Sequence, residues 1–203
     1  MRLFLALAAL AVPTGALVLS SSARPAAEAR AAAADKYEVD LVHSSVLFRA
    51  SHMGLSHTWG RFDKFSGSLT YDEKDPAACS VRLEVDAGSV NTGDAGRDGH
   101  LANNDFFSAK QFPKIRFASS KVSAAGEGKL KVDGELELLG IKKPLSFEIT
   151  KVGAGEFPMD KSYRIGFDAQ FTIDRTEFGM KYATGPGQPD PVLLMVSLEA
   201  IRK

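Results

Sequence analysis

The sequence predicts an all-β domain, an eight-stranded antiparallel barrel, and three observations point there. From about Lys36 onward, apolar residues recur at every second position. Tyr163, Ile165, Phe167, Ala169, Phe171 and Ile173 show it best, with Arg164, Asp168, Gln170 and Thr172 between them. Side chains of a strand alternate faces, so such a segment has one apolar and one polar face. Next, about eight segments of this kind follow one another between turn residues, the regular spacing of a barrel or sandwich. Finally, 13 phenylalanines recur on the presumed inner face, and Gly67 and Gly134 sit inside strands, where glycine marks a bend. A sheet with one apolar face must stack on another or close on itself. An immunoglobulin-type sandwich would bracket a tryptophan with two cysteines; here Trp59 is followed by Cys79 alone.

The N-terminus precedes that pattern. Arg2 and the apolar run Leu3–Leu19 are followed by the small-residue stretch SSSARPAAEARAAAA. A positive n-region, an apolar h-region and a small-residue cleavage site describe a secretory signal peptide. We assign it to residues 1–29, with cleavage expected between residues 23 and 34, and residues 30–35 to a leader before a domain at 36–203. Pro13 and Gly15 interrupt a run already short for a bilayer core, which favours a cleaved signal over an anchor. Processing would leave no transmembrane span and a periplasmic or secreted protein.

The first expected strand is YEVDLVHSSVLFRA, with Val46, Phe48 and Ala50 on one face. HMGLSHTWG reads as a connection. The second strand is GRFDKFSGSLTYD, with Phe65, Gly67, Leu69 and Tyr71 aligned. EKDPAA turns the chain, since Pro76 is excluded from a central ladder. CSVRLEVD is the third strand. The long segment AGSVNTGDAGRDGHLANNDFFSAKQFP has no period-2 run. It is a loop between the third and fourth strands, with a short helix near Asp98–Asn104 and with Phe106, Phe107 and Phe112 as anchors over the sheet's open end. Long loops of this kind are often functional. The fourth to seventh strands are PKIRFASSKVS, GKLKVDGELELLG, KPLSFEITKV and the Phe167 segment. After ATGPGQPDP, the last strand is expected to start beyond Pro191.

Composition excludes several classes. Twenty-five basic and 25 acidic residues balance, so there is no electrostatic footprint for nucleic acid. A lone Cys79 cannot close an intrachain disulfide and reads as a small buried apolar group. His52 and His57 lie five apart with no third ligand at a zinc-like spacing. Ser44, Ser45 and Asp98 lack a nucleophile-elbow motif, and no phosphate-cradling glycine loop is present. The sequence therefore offers no catalytic residue, metal site or cofactor motif.

The pieces DLVHSSVLFRASHMG with GRFDKFSGSL, SVNTGDAGRDGHLANNDFFSAKQFPKIRF, LELLGIKKPLSFEI and FTIDRTEFGM occur in order. In these the chain resembles the YceI-like family of bacterial polyisoprenoid-binding proteins, over about Tyr37–Ile201. The resemblance implies a lipocalin-like barrel around a long apolar channel, export, and a polyprenyl chain or other long amphiphile as ligand.

The candidate apolar wall is Phe48, Phe65, Leu83, Phe106, Phe107, Phe117, Leu136, Phe147, Phe167 and Phe171. Candidates for a polar mouth are Arg49, His52, His57, Arg97, His100 and Arg175, since arginine forks onto phosphate and histidine gains charge in acid. The expected function is non-enzymatic sequestration or carriage of a polyisoprenoid or similar lipid. The alternative is a structural or stress-related envelope protein whose barrel is filled by its own side chains. A sheet edge left by incomplete closure would suit a homodimer.

Overall fold

The computed structural model describes residues 34–184 and 190–203. The expected signal peptide, nearly all of the leader, and Pro189 with the glycine-rich part of its turn lie outside the described residues. Among the described residues, no helix is long and apolar enough to cross a membrane.

Eleven strands form one antiparallel sheet: β1 Asp35–Val39, β2 Ser45–His52, β3 Ser56–Phe62, β4 Phe65–Tyr71, β5 Ser80–Asp86, β6 Val90–Asn91, β7 Lys114–Ala124, β8 Lys129–Leu138, β9 Ile141–Glu156, β10 Tyr163–Asp174 and β11 Pro191–Arg202. The pairing runs β1-β4-β5-β7-β8-β9-β10-β11, and β11 pairs back onto β1. That ring of eight is the predicted barrel. Its closure is the pairing of Tyr37, Glu38 and Val39 with Arg202, Ile201 and Ala200.

The three remaining strands continue the first three around a row of breaks. β11 pairs with β1 through Ala200–Arg202 and with β2 through Val192–Ser197. Thus Asp35–His52 is one strand alongside β11, interrupted at Asp40–Ser44. The Asp40 amide still donates to the Glu199 carbonyl at 2.8 Å, and the Glu199 amide donates to Ser44 Oγ at 2.9 Å. The next strand breaks at Asp63–Lys64, whose amides donate to the Ser89 carbonyl and hydroxyl, both at 3.0 Å. The third breaks at the 3-10 turn Ala87–Ser89.

Several sequence expectations need correction here. The first and second strands are each split, at Asp40–Ser44, where Leu41 and Val42 turn out to solvent, and at Asp63–Lys64. HMGLSHTWG is largely strand: only Met53, Gly54 and Leu55 make the tight turn into β3, the first two with positive φ. The helix α1 is Ala95–Leu101 rather than Asp98–Asn104, because the Asp94 carboxylate caps it by accepting the Arg97 amide at 2.8 Å. β9 runs on to Glu156, and β11 begins at Pro191 itself, the strand position that tolerates proline.

Beyond the breaks β6 pairs only with β3, and the α1 loop takes the place of a paired neighbour. The Phe107 ring meets Phe62 edge-on at 5.4 Å, and Leu101, Ala102 and Ile115 pack in the same cluster as Val90. The long loop is therefore a wall of the barrel. Phe112 lies instead against Gly140 of the β8–β9 turn.

The Asp40–Ser44 break is pinned by charge. Arg164 donates to Asp40 and Glu199, each at 2.7 Å, and to Asp160 at 2.9 Å, while lying 4.0 Å above the Phe157 ring. Asp40 and Arg164 keep only 11% of their side-chain exposure. Asp40, His43 and Glu199 also converge closely enough to suggest a cation site, but the guanidinium already supplies the positive charge there. The His43 contact, then its own amide bond from Val42 and the charge of Arg164, hold the Asp40 carboxyl below its ordinary range. The Ser162 hydroxyl and amide, then Arg164, lower Asp160 to about 2.

Two predictions follow from this construction. A side chain at Gly134 would run into the Phe117 ring and the Ala118 carbonyl. Gly134→Val should therefore cost about 1–3 kcal/mol in urea unfolding, the usual penalty of overpacking. Arg164→Gln should lower the unfolding midpoint at neutral pH. The native pKa values of Asp40 and Asp160 are depressed, so their contribution is whole above about pH 4 and is lost as pH falls through the native values. The gap between variant and parent should accordingly close on acidification below pH ~4; a constant gap down to pH ~2 would contradict the pinning role.

Candidate functional site

The inward positions of the strands leave a cavity of about 780 Å³ rather than a filled core. One wall is Val192, Leu194, Val196 and Leu198 of β11. Six residue steps of strand span about 20 Å, so the mean cross-section is about 780/20, or 40 Å². That is a narrow tube, suited to one extended chain rather than a broad ring system. The inner end is packed. Tyr37, Leu69, Ile165, Phe167 and Ala200 form a buried cluster there, with Ile165 and Ala200 essentially inaccessible. The open end lies among the β2–β3 turn, α1 and residues 182–184.

Of the ten apolar candidates, Phe48, Leu83, Phe106, Phe107, Phe117, Leu136, Phe147, Phe167 and Phe171 all line this cavity. Phe65 does not: it shares the inward parity but sits beside the break, packed with Val85 and Val90. Along one wall of the tube, Phe147 of β9 stacks on Phe171 of the neighbouring β10 at 4.3 Å and tilts against Phe117 at 5.2 Å. Deeper, Tyr71 meets Phe167 edge-on at 5.4 Å. Cys79 is buried deep in the same wall. Burial pushes its thiol pKa up, which disfavours the reactive thiolate.

The polar candidates divide. His52, Arg97, His100 and Arg175 border the cavity, whereas Arg49 and His57 do not. Arg49 belongs to the outer face, stacked over Trp59 at 5.7 Å, and His57 opens onto a shallow hollow with Trp59 and Arg97. Their strand parity decides this: both pair across the hairpin on its outer side, Arg49 with Trp59 and His57 with Ser51.

Most of the bordering polar groups already have partners. Arg175 donates to Asp190 at 2.7 Å and to the carbonyls of Met180 at 3.3 Å and Tyr182 at 2.8 Å. Arg97 donates to the Thr92 hydroxyl at 2.7 Å and carbonyl at 2.9 Å. His100 contacts Asp105 at 3.0 Å and is flanked by the rings of Phe106 and Tyr182 at 5.1 and 5.0 Å. Of the residues weighed for catalysis, Ser44 and Asp98 are likewise engaged. Ser44 bonds both backbone groups of Glu199, and Asp98 accepts from the Thr92 amide and hydroxyl. The site is an apolar tube with a largely tied-down rim, and among the described residues its side chains form no nucleophile–base pair.

A YceI-like domain model matches residues 37–200. The chain belongs to the YceI-like family. A UPF0312 protein of Pseudomonas aeruginosa strain LESB58 is 37% identical over 190 residues, 93% of this chain and 96% of that one. A Shewanella putrefaciens UPF0312 protein is 38% identical over 175 residues, 85% and 91% of the two chains. Among solved structures, Burkholderia cenocepacia BcnA superposes with a TM-score of 0.70 at 28% identity, covering 79% of this chain and 98% of its own. A Campylobacter jejuni YceI protein gives 0.67 at 27%, covering 75% and 90%. A polyisoprenoid binding domain from Saccharophagus degradans gives 0.62 at 18%, covering 82% and 98%; at that identity the likeness is one of fold alone.

Met180 and Tyr182 were not legible as rim residues. They follow a 3-10 turn and carry no periodic signal; Arg175 holds both carbonyls, Met180 is buried in the core, and the Tyr182 ring packs on His100 and Phe106. Arg175→Met should release this segment and speed tryptic cleavage after Lys181. Cleavage at the parent rate would mean the clamp is not what holds it.

Proposed function

We propose that this YceI-like protein is an exported, non-enzymatic carrier that sequesters a polyisoprenoid or similar long-chain amphiphile. The observation that carries the reading is the narrow apolar tube, packed at its inner end and open at one rim. A hydrocarbon tail entering it gains about 0.8 kcal/mol per buried methylene. Over a long tail that outweighs the cost of association. No bound cofactor is needed for such a role. A head group would remain near the rim, where His52 makes no side-chain hydrogen bond among the described residues and Arg97 is bonded only to neutral groups. Export to the periplasm or beyond rests on the N-terminal signal pattern. The description of the Saccharophagus domain as polyisoprenoid binding concerns that protein, but it agrees with this choice of ligand class.

The alternative of a barrel filled by its own side chains is disfavoured by the 780 Å³ it leaves open. A homodimer built by strand addition would use the outer edge of β3, where Ser56–Gly60 has no further strand partner among the described residues.

Mass spectrometry under denaturing conditions of protein purified from its native host should release a lipid-like molecule. Phe117→Glu and Phe167→Glu should each abolish uptake of geranylgeraniol, read by the same method on folded protein. Uptake surviving in either folded variant would sink the assignment of that wall, and an empty parent across several gentle preparations would count against the carrier itself.

A further inference from the structure

The β2–β3 hairpin stands at the rim of the tube and carries exposed apolar groups. Met53 and Leu55 at its tip are 83% and 84% exposed, and Trp59 on its outer face is 52% exposed. Scattered single exposures of this kind are ordinary. Three on one hairpin, beside an apolar cavity, form a pattern. The turn itself adds to it. Met53 and Gly54 have φ of 54° and 72°, a geometry that favours asparagine or glycine at the first position. Here methionine takes that place, so the tip presents apolar rather than polar groups to solvent.

The charge on the hairpin itself is one-sided. Residues 45–62 contain two arginines and two histidines and no aspartate or glutamate. Arg61 is paired with Asp63 at 2.7 Å. Arg49 has no carboxylate partner among the described residues and stacks on Trp59. The flanking strands add no acid, since β11 contributes Val192–Ser197 and β6 contributes Val90 and Asn91. Arg97 faces the hollow beside His57 and Trp59. An apolar tip, a half-exposed tryptophan and unpaired cations are the elements that suit a lipid interface with anionic head groups. An uncharged protein partner would leave those cations uncompensated.

We propose that the β2–β3 hairpin docks the mouth of the barrel against an anionic phospholipid surface. Met53 and Leu55 enter the head-group region, and Arg49 and Arg97 face the lipid charges. Docked in this way, the mouth opens onto the bilayer, and a tail passes between membrane and tube with little exposure to water. That passage rests on the carrier reading; the docking rests on the exposed hairpin.

Flotation separates the two. The chain as its host processes it, parent and variants alike, is mixed with vesicles of phosphatidylcholine alone or with added phosphatidylglycerol. The parent should float with the mixed vesicles, and less so as salt rises. Leu55→Glu and Arg49→Glu, both off the cavity wall, should each reduce the floated fraction by about tenfold while leaving geranylgeraniol uptake unchanged. A measurement on the parent guards against misfolded variants. Trp59 is the single tryptophan, so its fluorescence should shift to the blue on adding mixed vesicles and stay in place with neutral ones. A parent that ignores mixed vesicles, or a Leu55→Glu variant that floats like the parent, overturns the docking even if uptake is intact. Vesicle binding without uptake upholds the docking and sinks the carrier.

Discussion

Strand β11 holds the molecule together, because it pairs with both halves of the first strand. Its last residues close the barrel on β1, and its first residues carry the β2–β3 extension. A sheet with one apolar face gains little until that face is removed from water, and closure achieves this without a second layer. Closure alone would allow a packed interior. The interior stays partly open, and bulky rings on neighbouring strands meet one another along its wall rather than across it. The stack of Phe147 on Phe171 is one such meeting. Gly134 and Gly60 lie beneath the rings of Phe117 and Phe48, where any larger side chain would collide.

The breaks in the first three strands have a common consequence. They let the sheet change direction and free the α1 segment to serve as wall. A hydrophobic cluster of Phe62, Val85 and Val90 covers the junction from inside. Outside, the guanidinium of Arg164 ties Asp40 on one side of the break to Glu199 on its partner strand. Both acids of the metal-like trio Asp40, His43 and Glu199 are already paired with that arginine, so a fixed cation accounts for their convergence.

Polar residues at the mouth show how little a residue type reveals about its use. Arg175 was a reasonable phosphate ligand by chemistry, yet its donors hold Asp190 and two backbone carbonyls. Arg49 was a rim candidate by position, but strand parity turns it outward onto Trp59. Phe65 has the right parity and still misses the cavity, because it lies next to a break where the local packing closes over it.

The sequence by itself determined the alternation of faces, the number of strands around the ring and nearly all of the apolar wall, since period-2 alternation fixes which side chains share a face. Only the tertiary structure decided that the interior is a narrow tube with one packed end, that the long loop is a wall, and which cations remain unpaired. Those outcomes depend on contacts between residues far apart in the chain: a ring over a glycine, a carbonyl clamped by an arginine, a strand shared by two partners. Local alternation carries no record of such contacts.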